Sequence, residues 1–216
     1  MGRNLSAKLN VTLLQEGLQT RSLGRNIFFS HAVDSTNNLA KKLAEIGACE
    51  GTVAIAEMQT AGRGRLDREW ISPRGGLWFS IILKPKLRVA EAVKLVFVAG
   101  LAVVEVLHEL YSLKAETKWP NDVLVNGKKI CGILAEMNTT RETLNYVVVG
   151  VGVNANFDAE KTFPESLRDV ATSLEDELGK KIKLEELFKA LLERLKSCYD
   201  LFTEKGSAPI LTKWKE

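Results

Sequence analysis

KWPNDVLVNGKKICGIL, from Lys118 to Leu134, is the stretch on which the fold turns. At its centre Asn126-Gly127 separates two apolar, β-branched runs. Asn-Gly suits a two-residue hairpin turn, because both central positions then need positive φ. Such a turn pairs Val125 with Lys128, Leu124 with Lys129 and Asp122 with Cys131. Asp122 and Lys129 then lie on one face of neighbouring strands, roughly 7–8 Å apart as a diagonal pair.

The segments on either side carry the same kind of punctuation. Upstream, Asn26 to Val33 reads as a strand, and Asp34-Ser35 reads as the N-cap of a helix over 37–47 that Gly47 closes. Thr52 to Gln59 and Gly76 to Lys84 read as further strands, and residues 90–111 as a helix. Downstream, Tyr146 to Asn154 reads as a strand. From Lys183 to Phe202, Leu184, Leu187, Phe188, Leu191, Leu192 and Leu195 recur at helical spacing. Strands that follow one another directly, mixed with helices, argue for an α+β fold and against a regular βαβ repeat. Residues 1–24 read as a lead-in segment and 25–216 as one domain.

Composition narrows the function classes. A chain of 216 residues can hold one substantial core. Thirty Lys and Arg against 27 Asp and Glu leave a net charge of +3, so any basic site is local and not spread over a polymer-binding face. Cys49, Cys131 and Cys198 form no Cys-x-x-Cys pattern and read as buried small hydrophobes in a reducing compartment. His31 and His108 are too far apart for a zinc helix, and neither a nucleophile elbow nor a Walker-type phosphate loop occurs. Secretory-signal features are missing from the first twenty residues. The longest apolar run, Val93 to Leu110, is interrupted by Lys94, Glu105, His108 and Glu109, which suits a buried helix better than a membrane span. A cytoplasmic protein with no membrane partner is the expectation.

Four segments could carry chemistry. QTAGRGRLDREW, Gln59 to Trp70, gathers Arg63, Arg65 and Arg68 with Gly62, Gly64 and Trp70; guanidinium forks match phosphate and carboxylate oxygens, and an indole can stack on a base. The Asp122–Lys129 pair can hold a magnesium-bound polyphosphate beside a carboxylate. In Val147 to Asn154 the odd positions are all valine, while the even ones run Val148, Gly150, Gly152, Asn154, so one face is core and the other nearly bare backbone. Asp34-Ser35-Thr36-Asn37 opens a helix whose unpaired N–H groups can receive a polar group. Taken singly, a solvated loop, a surface ion pair, a bulge or tight helix packing, and a plain N-cap explain each of these.

Taken in order, DSTN (34–37), QTAGRGRLDREW (59–70), SPRGGLWFS (72–80), KWPNDV (118–123), KKICGILAE (128–136) and GVGVNAN (150–156) resemble the catalytic domain of the biotin protein ligases. The resemblance spans roughly residues 25–216. It implies a mixed, mostly antiparallel sheet flanked by helices, the fold shared by biotin and lipoate ligases and similar to that of class II aminoacyl-tRNA synthetases. It also implies a two-step reaction in the cytoplasm. Biotin and magnesium ATP give biotinyl-5′-AMP and pyrophosphate, and a lysine of the biotin carboxyl carrier protein of an acyl-CoA carboxylase then takes the biotinyl group. No protein nucleophile is required, since positioning and charge stabilisation suffice.

The resemblance also assigns roles. Ser35, Thr36, Asn37 and Gln59 would hold the biotin rings, with Gly132 and Gly152 making room. Arg63, Gly64 and Arg65 would form a loop closing over biotin and adenylate, Arg65 gripping carboxylate and phosphate. Lys129 would bridge the biotin carboxylate and the α-phosphate. Arg68 and Trp70 would face ATP, with Trp70 against adenine, and Asn121, Asp122 and Asn154 would complete the nucleotide site, Asp122 as magnesium ligand. Arg63, Arg65, Lys118 and Lys129 would stand near the phosphates, with Lys129, Arg65 and Asp122 catalytic. The resemblance allows a homodimer through edge strands. Two departures from the pattern are expected: a lead-in too short for a DNA-binding domain, hence no DNA partner, and no small C-terminal β-barrel. A lipoate or octanoate ligase of the same fold and a non-catalytic biotin-binding module are the competing expectations.

Overall fold

The protein is described by a computed structural model covering residues 9–215. The first eight residues of the lead-in lie outside the described region. Seven strands form one sheet: β1 (Ile27–Ser30), β2 (Val53–Ala56), β3 (Leu77–Leu83), β4 (Ala115–Lys118), β5 (Asp122–Val125), β6 (Lys128–Thr140) and β7 (Thr143–Val153). Their order is β1-β2-β3-β7-β6-β5-β4; β1 and β2 run parallel and every other neighbouring pair antiparallel. The helices are α1 (Val11–Gln15), α2 (Thr36–Glu45), α3 (Val89–Ala92), α4 (Leu95–Tyr111), α5 (Ala159–Thr162), α6 (Glu165–Arg168), α7 (Leu174–Leu178), α8 (Leu184–Lys205) and α9 (Ala208–Lys215). The expected α+β class, with a mixed and mostly antiparallel sheet, is the observed one.

Strand parity sorts the two faces of the sheet. On β3, Leu77, Phe79, Ile81 and Leu83 enter the main core beneath α4 and α8, together with the odd valines of β7. Phe79 meets Phe188 of α8 edge to face at 5.3 Å. Burying such a ring contributes about 1.5–3 kcal/mol, with about 0.5–1.5 kcal/mol more from the aromatic geometry. On the opposite face Ile82 joins Leu43, Ala44 and Val148 under α2, while Trp78 joins Phe157, Ala159 and Phe163. Ser80 falls between these two small clusters, on the face where the candidate site opens.

Several local expectations are corrected. The Asn126-Gly127 turn forms with φ of 50° and 76°, and Val125 and Leu124 pair with Lys128 and Lys129. The register then shifts, so Val123 pairs with Cys131 and Asp122 with Gly132 instead of Cys131. Ile130 is the extra residue of this bulge. The irregularity lets Lys129 pair outward: its N–H donates to Val170 O (2.8 Å), and its carbonyl accepts from Thr172 N–H (3.0 Å). Lys118 belongs to the separate strand β4, with Trp119 to Asn121 forming a turn before β5. The helix expected over 90–111 is broken into α3 and α4 by a turn at Val93-Lys94. Cys131 and Cys198 are buried but Cys49 is exposed, because it follows α2 on the surface.

Candidate active site

Between α2 and the segment 157–171, the even face of the sheet floors a cavity of about 540 Å³. That is the size range of small-molecule sites. Ser35, Thr36 and Asn37 reach it from the start of α2, and Gln59 from the end of the chain that continues β2. Arg63, Gly64, Arg65, Arg68 and Trp70 come from the loop between β2 and β3. Lys118, Asn121 and Asp122 come from the β4–β5 corner, Lys129 and Gly132 from β6, and Gly152 and Asn154 from β7 and its end. All sixteen residues to which the resemblance assigns a role therefore line one cavity, whereas Asp34 and Gly62 do not.

Neither Asp34 nor Ser35 caps α2 in the expected way. Ser35 is the N-cap residue without a side-chain cap bond. Gln59 Oε1 instead accepts from the Thr36 N–H (2.8 Å) and lies 3.1 Å from the Thr36 hydroxyl oxygen. An acceptor 23 residues away thus meets one of the helix's unpaired N–H groups. Gln59 is itself aimed by its amide, which donates to Ser72 Oγ (2.7 Å).

The arginine loop is a short folded ribbon. Trp70 N–H donates to Gly62 O (2.9 Å) and Gly64 N–H to Arg68 O (2.7 Å), leaving a 3₁₀ turn at Arg65–Asp67 as its tip. Gly62 is required here, since a Cβ would lie 2.3 Å from the Trp70 carbonyl oxygen. At the tip Leu66 has φ of 55° and is 83% exposed. Arg63 is turned inward. Its Nη2 donates to Asn38 Oδ1 (2.8 Å) and to both oxygens of Glu136 (3.2 Å each), while its Nε is buried without a partner. Burial alone would raise the Glu136 carboxyl, but hydrogen bonds from Lys41 and Asn37 and the charges of Lys41 and Arg63 outweigh it and hold it below its ordinary value.

The bare even face of β7 is occupied by other side chains. A Cβ on Gly150 would lie 2.1 Å from Asn37 Oδ1, and one on Gly152 2.6 Å from Trp70 Nε1. Trp70 also covers Gly132, and the Lys129 ammonium sits 4.8 Å from the centre of its ring. Lys129 Nζ is 2.7 Å from Asp122 Oδ1, an ion pair on two side chains that are each about three-quarters buried. Asn154 is almost wholly buried. Its amide donates to Thr172 O (2.9 Å), while its Oδ1 has no partner. Buried unpaired acceptors are costly and mark places where a ligand donor would be satisfied.

Residues 157–171 carried no recognisable signal in the sequence, yet Phe163, Leu167, Val170 and Ala171 supply the apolar wall opposite α2. Their steps of four, three and one suit a helix, but the run is broken between the four-residue helices α5 and α6 and is too short to read as a periodic element. The site thus has a polar buried end, a cationic rim, an apolar wall and one ammonium between them. It suits an anionic molecule with both polar-ring and apolar parts.

A family model described as the biotin/lipoate A/B protein ligase family matches residues 29–154. The chain is 36% identical over 209 residues to the bifunctional ligase/repressor BirA of Bacillus subtilis (strain 168), covering 96% of this chain and 64% of that protein. It is 35% identical over 183 residues to the biotin–[acetyl-CoA-carboxylase] ligase of Paracoccus denitrificans, covering 84% of this chain and 76% of the relative. Among solved structures, the biotin protein ligase from Aquifex aeolicus in complex with biotin and ATP superposes with a TM-score of 0.76 at 35% identity, covering 88% of this chain and 77% of that one. The chain belongs to the biotin/lipoate A/B protein ligase family. It spans just under two thirds of the length of the Bacillus relative.

No helix among the described residues is long and apolar enough to cross a membrane.

Proposed function

We propose that this domain catalyses ATP-dependent attachment of biotin to a lysine of a biotin carboxyl carrier domain of an acyl-CoA carboxylase, acting in the cytoplasm. An oxygen of the biotin carboxylate attacks the α-phosphorus of ATP, and the bond to the bridging oxygen breaks to release pyrophosphate. The carrier lysine, as the free amine, then attacks the acyl carbon of biotinyl-5′-AMP; AMP leaves with the bonding pair and the nitrogen loses a proton to solvent.

The carrying observation is the position of Lys129, 2.7 Å from Asp122, in a cavity with a polar end and a cationic rim. Thr36, Asn37, Gln59 and Ser35 take the ring end of biotin. Lys129 and Arg65 neutralise charge where carboxylate and α-phosphate meet, and Arg63, with its unpaired Nε, offers a further donor. The unpartnered Asn154 Oδ1 is an acceptor suited to an exocyclic amine of the nucleotide base, with Trp70 and the 163–171 wall giving the base apolar cover. Arg68, Lys118 and Asn121 complete the nucleotide end. Asp122 is a single carboxylate, which fits a magnesium ion held chiefly by phosphate oxygens and water. When bound with ATP, that ion supplies charge neutralisation on the phosphates. The Arg65–Asp67 tip closes over the adenylate and keeps it from water.

Biotin-dependent exchange of labelled pyrophosphate into ATP, followed by transfer of labelled biotin to a carrier domain, tests the proposal. Exchange and transfer are expected. Exchange with lipoate but not biotin would replace it by a lipoate ligase, and tight biotin binding without exchange by a binding module. Protection of residues 60–69 from limited proteolysis by biotin and ATP is expected from closure; unchanged cleavage would remove that step.

A further inference from the structure

At the α2 end of the cavity three oxygen–oxygen contacts share two protons. Ser80 Oγ, fully buried, lies 2.7 Å from Thr36 Oγ1 and 2.6 Å from Asn37 Oδ1, and Thr36 Oγ1 lies 3.1 Å from Gln59 Oε1. Both ends of this chain are acceptors whose orientation is imposed. The Asn37 amide nitrogen donates to Glu136 Oε2 (2.7 Å) and Leu134 O (3.3 Å), so its oxygen must face Ser80. Gln59 Oε1 receives the backbone N–H of Thr36 (2.8 Å), so it cannot be exchanged with the nitrogen.

Only the two hydroxyls can supply protons, one each. An unprotonated approach is most repulsive where it is shortest, and 3.1 Å lies beyond the usual O–H···O range. The Thr36–Gln59 contact is therefore the one without a proton. Ser80 donates to Asn37, Thr36 donates to Ser80, and the Thr36 oxygen keeps only lone pairs for the cavity that it lines.

We propose that Ser80 is a specificity-determining positioning residue: by taking the Thr36 proton it makes Thr36 a pure acceptor, so the ligand group met there must be an N–H donor. This rests on the biotin reading, since the cyclic urea of biotin carries ring N–H groups and a dithiolane carries none. Glu136 is the far anchor of the relay, and Gly150 leaves the space that the Asn37 amide occupies.

The test is calorimetric binding of biotin and of its cyclic carbamate analogues, in which one or the other ring N–H is replaced by oxygen. An oxygen facing Thr36 leaves two acceptors opposed. For one analogue the parent should therefore prefer biotin by about 10–100-fold, the range of a buried polar group left unpaired. In Ser80→Ala the Thr36 proton is released and can turn toward the ring oxygen, so that preference should fall by about tenfold. Glu136→Gln provides a second route if the buried alanine variant folds poorly. Its new amide can donate to Asn37, which then flips and reverses the relay, and the preference should shrink in the same direction. ATP binding should be unaffected in Ser80→Ala, as a general loss of structure would not allow. An unchanged preference in variants that still bind biotin would overturn the role of Ser80 alone. Absence of biotin binding by the parent chain would overturn both this inference and the ligase reading.

Discussion

At one end of the cavity Ser35, Thr36, Asn37 and Ser80 are buried, and the last three share hydrogen bonds with Gln59 and Glu136; at the other, Arg65, Leu66, Arg68, Lys118 and Trp119 are exposed around the mouth. The buried end is organised before any ligand arrives. Its donors and acceptors are aimed by partners up to 99 residues away in sequence, so binding there needs little rearrangement. The exposed end offers charge without fixed direction, and exposed charge is screened by salt. Shape and proton pattern therefore belong to one end and charge neutralisation to the other, with Lys129 between them.

That contrast can be broken most severely in the middle. Lys129→Ala removes the ammonium between the two ends and should lower biotin-dependent pyrophosphate exchange by about 10²–10³-fold, the scale for losing one charge-stabilising donor. A fall of less than about tenfold would show that neither end depends on it. Next comes the buried end. Thr36→Val removes the hydroxyl and should raise the biotin Kd by about 10–100-fold, with ATP binding unchanged when measured by titration calorimetry. Equal losses for both ligands would mean that the polar end is not separate from the nucleotide end.

At the rim, Arg65→Ala should weaken nucleotide binding by about tenfold or less at low salt, with the difference from the parent shrinking as ionic strength rises toward 1 M, where the Debye length is about 3 Å. A salt-independent loss would place Arg65 among the fixed, buried contacts. The smallest effect concerns pH. Because the Glu136 carboxyl is held below its ordinary value of 4.5, its charged form stabilises the folded state. That contribution is present above 4.5 and is lost as pH falls through the lower folded value. Melting temperatures followed from pH 6 to pH 3 should therefore drop less steeply for Glu136→Gln; identical slopes would show that the Lys41–Glu136–Arg63 cluster does not couple to folding.

The parts legible in the sequence were those governed by neighbours along the chain. Asn126-Gly127 announced its turn because a tight turn needs positive φ at both positions, and the valine–glycine alternation of 147–154 announced its two faces because strand parity is strictly local. The bulge at Ile130 was not legible. Its stabilising contacts come from Val170 and Thr172, forty residues onward in the chain, and turn chemistry cannot register them. The same holds for the wall of Phe163, Leu167, Val170 and Ala171, carried on helices of four residues and a loop too short to show a period.

The glycines of β7 illustrate the division within a single strand. Sequence alone determined that Gly150 and Gly152 bare one face of the sheet, because that follows from alternation and the absence of a Cβ. Only the tertiary structure decided what fills the space: the Asn37 amide over Gly150 and the Trp70 indole over Gly152. Likewise the sequence named Thr36 and Asn37 as polar groups at a helix start and Gln59 as one at a strand end, while their hydrogen-bond directions emerged only once Ser80 and Glu136 were brought beside them. A residue's chemical type is written in the chain, but the direction in which its proton points depends on the acceptor that folding places opposite it.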